Sequence, residues 1–295
     1  MRKSFGVWLV ERRVPRVALI AGLLPLGLLG ILSAAIVVCV AGLKGWREAT
    51  VDCLIALGIL MILMVAMGAG WVQVAVSAAS TWVAAVCLGG LTGACASLTL
   101  SLQAMLVLGV IGILLFALTV PDSTSFWDGF LTDFIDQMAS FGVDMAQPDV
   151  FLSLAPMMSG LVAASLITSS IAALLLGSWW ASGAGGPGFK AMFLQIRLGY
   201  VIGGMATIAG LGAIFGIGPT AGNVLLVLAI GFVFQGLAVA HWQVANRGWP
   251  WTFLLAVYVP FLLGASLVAL ALLLFAGVGF VDNWYGLRRT SSGAR

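Results

Sequence analysis

Between residues 53 and 121, 150 and 189, 198 and 246, and 248 and 281, the chain contains no Lys, Arg, Asp or Glu, and a further uncharged run covers 17–43. A helix on the surface of a water-soluble domain needs a polar face, and these runs are too long and too evenly apolar to supply one. A bilayer accepts helices that are apolar all round, provided that each backbone polar group is paired within the segment. The pattern predicts an all-α polytopic transmembrane bundle: a single transmembrane domain over 1–295 with about eight spans, nine if 17–43 forms a hairpin, and short interfacial helices.

A span needs about 20 residues. The run 53–121 therefore holds three, near 51–70, 72–91 and 97–120, with breaks at Gly68, Gly70, Gly89, Gly90 and Gly93. Later spans are expected near 151–176, 200–217, 222–245 and 252–276, with Gly216-Ile217-Gly218-Pro219 as the turn between the second and third of these. Residues 17–43 read either as one long helix kinked at Pro25 or as two helices with a turn at Pro25–Gly27. Counting basic residues with the N-terminus inside gives eight inside against five outside for one span, and ten against three for a hairpin, so the hairpin is favoured.

Tryptophan supports the span edges. Trp46, Trp71, Trp127, Trp179, Trp180, Trp242, Trp249, Trp251 and Trp284 fall near boundaries, where an indole keeps its ring dry and its N–H paired; Trp82 alone lies in mid-span. Composition agrees, with 62% hydrophobic residues, 8% charged and 38 glycines. The net charge of +3 gives no reason to expect a nucleic-acid partner. Cys39, Cys53, Cys87 and Cys95 form no CxxC pair and the one histidine is His241, so the four thiols read as small buried hydrophobes and neither a metal site nor a cofactor is expected.

The long connection 121–150 holds six aspartates and no basic residue. Phe126, Trp127, Phe130, Leu131, Phe134, Ile135 and Met138 recur at helical spacing, predicting an amphipathic helix at the membrane interface with Ser125 and Asp128 as its capping pair. It is read either as a cap over an outward cavity or as a connector with one solvated face. A second connection, 177–199, is basic. Trp179 and Trp180 precede a glycine-rich turn, and Phe189, Phe193 and Ile196 share a face from which Lys190 and Arg197 point away, predicting a short interfacial helix.

Candidate chemistry inside the spans is sparse. With no charged residue in mid-span, Asp52 opening a helix and Asp282 following the last one, proton coupling through a buried carboxylate is not expected. The ligand-binding candidates are Gln235, Asn223, Thr168 and Gln103; an amide in hydrocarbon needs partners for two donors and an acceptor, which either a ligand or a neighbouring helix supplies. His241, Asp282, Arg288 and Arg289 read as interfacial, with Trp179, Trp180, Lys190 and Arg197. The small-residue spacings Ala18/Gly22, Gly89/Gly93 and Gly199/Gly203 read as helix-packing or partner-docking faces. No nucleotide-binding, metalloprotease or catalytic-triad motif is present, so no enzyme is expected.

The segments Leu43-Lys44-Gly45-Trp46-Arg47-Glu48, Gln235-Gly236-Leu237-Ala238-Val239-Ala240-His241 and Gly277-Val278-Gly279-Phe280-Val281-Asp282-Asn283-Trp284-Tyr285-Gly286-Leu287-Arg288-Arg289, with the order Trp-Trp, Pro-Gly-Phe and Ile196-Arg197-Leu198, resemble the YybS-like family of bacterial membrane proteins. Met192 stands where that family often has an acidic residue. The family is itself distantly similar to the substrate-binding components of energy-coupling-factor transporters. That resemblance implies an N-terminal docking helix carrying Ala18/Gly22, a ligand site toward the outer leaflet and a place in the bacterial inner membrane. The functional expectation is a protein that binds or helps transport a small organic molecule, or else a non-catalytic structural subunit of a membrane complex.

Overall fold

The computed structural model describes residues 4–68, 70–143 and 147–288, and every regular element among them is helical. Among the described residues, seven stretches are long and apolar enough to cross a bilayer: Gly27–Lys44, Trp46–Ala66, Trp71–Cys95, Leu98–Thr119, Pro148–Ser182, Pro219–Arg247 and Ala265–Tyr285; Gly199–Ile214 is a shorter apolar helix. The chain is an all-α, multi-pass membrane protein. Helix Leu98–Thr119 shows why water is the wrong solvent for it. Leu102, Leu106, Val110 and Ile113 are buried while Leu108, Ile111, Leu115 and Leu118 are exposed, so the outward face is as apolar as the inward one.

The helices in chain order are α1 (Phe5–Glu11), α2 (Arg13–Leu23), α3 (Gly30–Lys44), α4 (Trp46–Ala66), α5 (Trp71–Cys95), α6 (Leu98–Thr119), α7 (Ser123–Ser140), α8 (Pro148–Leu152), α9 (Met158–Ser182), α10 (Phe189–Leu194), α11 (Gly199–Ile214), α12 (Pro219–Arg247), α13 (Thr252–Tyr258) and α14 (Ala265–Tyr285). They fall into two compact units, residues 1–102 with 168–196, and residues 103–167 with 197–295.

In the first unit α3 is the central element, buried on all sides from Ser33 to Ala41. Small residues let its neighbours approach. A Cβ on Gly89 of α5 would stand 2.6 Å from Val38 O, one on Gly93 would stand 2.8 Å from Gly42 Cα, and one on Gly177 of α9 would meet Val38 Cβ at 2.7 Å. The Gly89/Gly93 spacing thus works inside the fold as a helix-packing seam. Trp82 is buried for a specific reason: its indole N–H donates to Ser33 Oγ (3.0 Å), and the Ser33 hydroxyl donates to Ile20 O (2.7 Å), joining α5, α3 and α2.

Residues 17–43 follow the second of the two readings, two helices with a turn between them, although only Gly27–Lys44 is long enough to span. The chain breaks over Leu24–Leu26 into α2 and α3, with a short 3-10 turn at Gly27–Leu29. With 11 residues, α2 is about 16 Å long, half a hydrocarbon core. Pro25 ends it, and α2 folds back along α3, as the Ser33–Ile20 hydrogen bond shows.

In the second unit α12, with 29 residues, is the central element. Its first half pairs with α11, where Gly212 meets Ala221, and its second half with α14, where Gly236 meets Phe275 and Gly279 meets Phe232. At about 43 Å it outruns a hydrocarbon core and serves two partners in succession. The last span is displaced from its expected position at 252–276. Pro260 lies in a 3-10 turn after α13, and Gly264 has φ +125°, so the long helix starts at Ala265. Pro260 has no N–H to continue the ladder and the conformation of Gly264 is closed to side-chain-bearing residues, which makes this pair the true boundary.

Cys39 and Cys53 are buried, but Cys87 and Cys95 are exposed, correcting the expectation of four buried thiols.

Candidate functional site

The first unit encloses a charged group that the order of residues disguises. Arg13 and Arg16 lie on one face of α2, three residues apart, and Glu48 and Asp52 lie on one face of α4, four apart. Where the two faces meet, Arg13 Nε donates to Asp52 Oδ1 (2.8 Å) and Arg16 Nη2 donates to Glu48 Oε1 (2.8 Å). Arg16 Nη2 also lies 2.5 Å from Asp52 Oδ2, as an ion pair rather than an aligned hydrogen bond. Arg16 Nη1 donates to Leu9 O at the end of α1 (3.1 Å), and Lys44 Nζ joins Glu48 Oε1 at 3.1 Å. Neither Arg16 nor Asp52 has any exposed side-chain surface, whereas Arg13, Lys44 and Glu48 are partly open at 51%, 31% and 34%. The group is closed at its base and open at its rim, with three positive charges against two negative. Asp52, expected to open a helix, lies instead in the second turn of α4 and is a buried carboxylate.

The second unit holds another such carboxylate. Asp282 is 1% exposed; its Oδ2 accepts from Arg288 Nη2 (2.7 Å) and from Gln235 Nε2 (2.8 Å). Asp282 and Arg288, expected at the interface, instead form a largely buried ion pair. Arg289 lies outside the described residues. The absence of a buried carboxylate no longer stands as a reason to set proton coupling aside.

The amides proposed as ligand contacts do something else. Gln235 has no exposed surface. Its Oε1 accepts from Leu198 N (2.9 Å) while its Nε2 donates to Asp282, so both ends of the amide are engaged. Gln103 Nε2 donates to Leu198 O (2.8 Å). Asn283 Oδ1 accepts from Gly199 N (2.8 Å), and its Nδ2 donates to Gly199 O (2.9 Å). These residues grip the two peptides at which α11 begins. Leu198 at that end supplies no side-chain cap, and the first N–H groups of any helix lack intrahelical partners. Amides from other helices do the capping from a distance. Asn223 repeats the arrangement: its Oδ1 accepts from Gly160 N in the first turn of α9 (2.8 Å) and its Nδ2 donates to Pro156 O in the turn before it (3.0 Å). Of the two kinds of partner the sequence left open, ligand or neighbouring helix, Gln235, Asn223 and Gln103 take the helix, and Thr168 is exposed.

Gly199 starts α11 at φ +80° with its peptide held by Asn283, so it is a turn residue rather than half of a packing stripe. Gly203 does pack: a Cβ there would lie 2.5 Å from Asn283 Nδ2. Ala18 and Gly22 are exposed on the outer face of α2, with no atom within 4 Å of the position a Gly22 Cβ would take.

The basic connection is shorter than expected, since α9 runs to Ser182 and α10 covers Phe189–Leu194 only. Lys190 and Trp179 are exposed. Trp180 is packed edge-on against Phe5 (centroids 4.9 Å), and Arg197 donates to Asn283 O (3.0 Å). His241 Nε2 and the Tyr258 hydroxyl share a hydrogen bond of 2.7 Å that ties α12 to α13.

The acidic connection forms α7. Its cap is Asp122, not the expected pair Ser125 and Asp128: Asp122 Oδ1 accepts from Ser125 N (2.9 Å) and Oδ2 from the Ser125 hydroxyl (2.7 Å). These bonds, the backbone one first, hold the Asp122 carboxyl below the usual carboxylate range by favouring its charged form. Trp127 donates to Ser159 Oγ (2.7 Å) and Leu131 is buried, whereas Phe126, Phe130 and Phe134 remain exposed along the helix. Asp144 lies outside the described residues. No group of three or more His, Cys, Asp or Glu that could hold a metal ion occurs among the described residues.

Comparison with protein-family models, with curated proteins and with solved structures finds no match to this chain.

Proposed function

We propose that this chain is a non-enzymatic protein of the bacterial inner membrane that binds, or helps move, a small organic anion, with the charged group around Arg16 as its working centre. The observation that carries the reading is the complete burial of Arg16 and Asp52 between α2 and α4. Ionisable residues among membrane helices are expensive to bury and are retained chiefly where they act on an ion, a proton or a substrate. As a device for stability alone the pair is a poor choice, because an apolar pair of similar volume often holds helices together as well or better. The rim of Arg13, Lys44 and Glu48 offers a route in. Positive charge exceeds negative there, so an incoming carboxylate or phosphate displaces Glu48 from Lys44 and Arg16 without uncovering Asp52. The YybS-like resemblance supports the same class of role.

The test is thermal stabilisation of the purified protein by a panel of vitamins, nucleobases, lipid precursors and simple carboxylates and phosphates. Anionic members raise the midpoint of the wild type and do so less in Lys44→Gln. A folded protein that no member of the panel stabilises overturns the reading.

A second reading, as a structural subunit of a membrane complex, is favoured by the inward commitment of Gln103, Asn223, Gln235 and Asn283 to helix ends. Its test is reproducible co-purification of another membrane protein, lost on Lys190→Glu. Arg197 is unsuitable for that test because its guanidinium is part of the clamp.

A further inference from the structure

Where α3, α5 and α9 meet in the first unit, a cavity with room of about 10 Å³ for the centre of a water molecule is lined by Val38, Gly42, Thr92, Gly93, Ser178 and Met192, among others. Ser178 is 4% exposed, and among the described residues its Oγ has no hydrogen-bond partner. A buried hydroxyl left unpaired costs about 1–3 kcal/mol, and a serine in a helix ordinarily avoids that by donating to the carbonyl one turn back. Here the hydroxyl belongs to the cavity wall. Space of this size admits one water and nothing larger, and a buried water is held where two to four polar groups converge.

The neighbouring hydroxyls set the directions of the bonds. In the 2.7 Å contact between Thr92 and Ser101 either hydroxyl can donate; with Ser101 Oγ turned to Leu88 O (3.4 Å), Thr92 is the donor. Thr92 Oγ1 then presents a lone pair, and Ser178 has both a proton and lone pairs to offer. Main-chain carbonyls also line this seam, because Gly93 brings the backbone at Gly42 within van der Waals reach of α5.

We propose that a single water molecule is built into this cavity, accepting from Ser178 Oγ and donating to Thr92 Oγ1 and to a main-chain carbonyl of α3. It completes a polar thread of Ser178, water, Thr92, Ser101 and Leu88 O that joins α9, α5 and the first turn of α6 through an otherwise apolar seam. The proposal is independent of the reading of the Arg16 group.

The experiment is a double-substitution cycle on the full-length protein in detergent, with Ser178→Ala, Thr92→Val and both together, read as thermal midpoints. With the water in place, Ser178→Ala removes one of its anchors and lowers the midpoint by roughly 2–4 °C. The double variant then loses clearly less than the sum of the two single losses, because either substitution alone releases the same water. A midpoint that is unchanged or raised in Ser178→Ala marks an unhydrated orphan hydroxyl and overturns the proposal, as does strict additivity. Where Thr92→Val fails to fold, a density map fine enough to show ordered water decides: a peak within hydrogen-bond reach of Ser178 Oγ supports the thread, and a featureless cavity ends it.

Discussion

Arg16 and Asp52 face each other at 2.5 Å with no exposed side-chain surface on either residue, in a protein whose membrane-length helices otherwise carry few charges. Asp52→Asn leaves a buried guanidinium with Glu48 and the carbonyls of Leu9 and Val10, and is expected to destabilise by about 3–5 kcal/mol. Replacing the pair with apolar residues, Arg16→Met with Asp52→Leu, removes both charges at once and recovers much of that loss. Denaturation of the purified variants checks both. A double variant less stable than Asp52→Asn contradicts the account.

The clamp at Leu198 and Gly199 is expected to fail as a unit. Gln235→Leu leaves the Leu198 N–H without its partner, at about 1–3 kcal/mol, while Asp282 Oδ2 keeps its bond from Arg288. Asn283→Ala releases the same turn from the other side. The two losses add to less than their sum, and hydrogen exchange at the start of α11 rises in each single variant. Normal protection there in Gln235→Leu rules out remote capping.

Packing separates the small-residue positions. Gly93→Ala drives a methyl into the backbone at Gly42, where no flexible side chain can move aside, and is expected to cost about 1–3 kcal/mol. Gly22→Ala meets nothing within 4 Å and is expected to be neutral or slightly stabilising. The paired midpoints measure the contrast; equal effects at the two sites contradict it.

The cap of α7 has a defined pH dependence. Because the folded-state carboxyl of Asp122 titrates below its unfolded value, its contribution is fully present above the ordinary carboxylate range and is lost as the pH falls through the folded value. Exchange or fluorescence probes in the first turn of α7 report fraying only at strongly acidic pH. Asp122→Asn, which keeps an oxygen acceptor but no charge, removes the dependence and retains much of the helix.

The apolar runs made the membrane architecture readable, since a helix that is apolar all round has few alternatives. The aromatic spacing from Phe126 to Met138 likewise announced α7. The charged centre was hard to see because its halves lie far apart in sequence, Asp52 coming thirty-nine positions after Arg13, and each half sits at the edge of an apolar run. Charges there resemble ordinary topology signals. The clue was a pair of complementary stripes, basic at 13 and 16 and acidic at 48 and 52. Gln235 was rightly singled out as an amide needing partners, but nothing in its own neighbourhood pointed to Leu198. The start of the last span was missed because the uncharged run around Pro260 and Gly264 continues on either side, and only backbone geometry marks the break.

The separation of Arg13 from Asp52 also orders events on the ribosome. At about 5–20 residues per second, α2 is made roughly 2–8 seconds before the carboxylate that neutralises it. During that interval its arginines belong in water or among lipid headgroups. Made before α4, α2 settles only after it, drawn into place when α4 arrives.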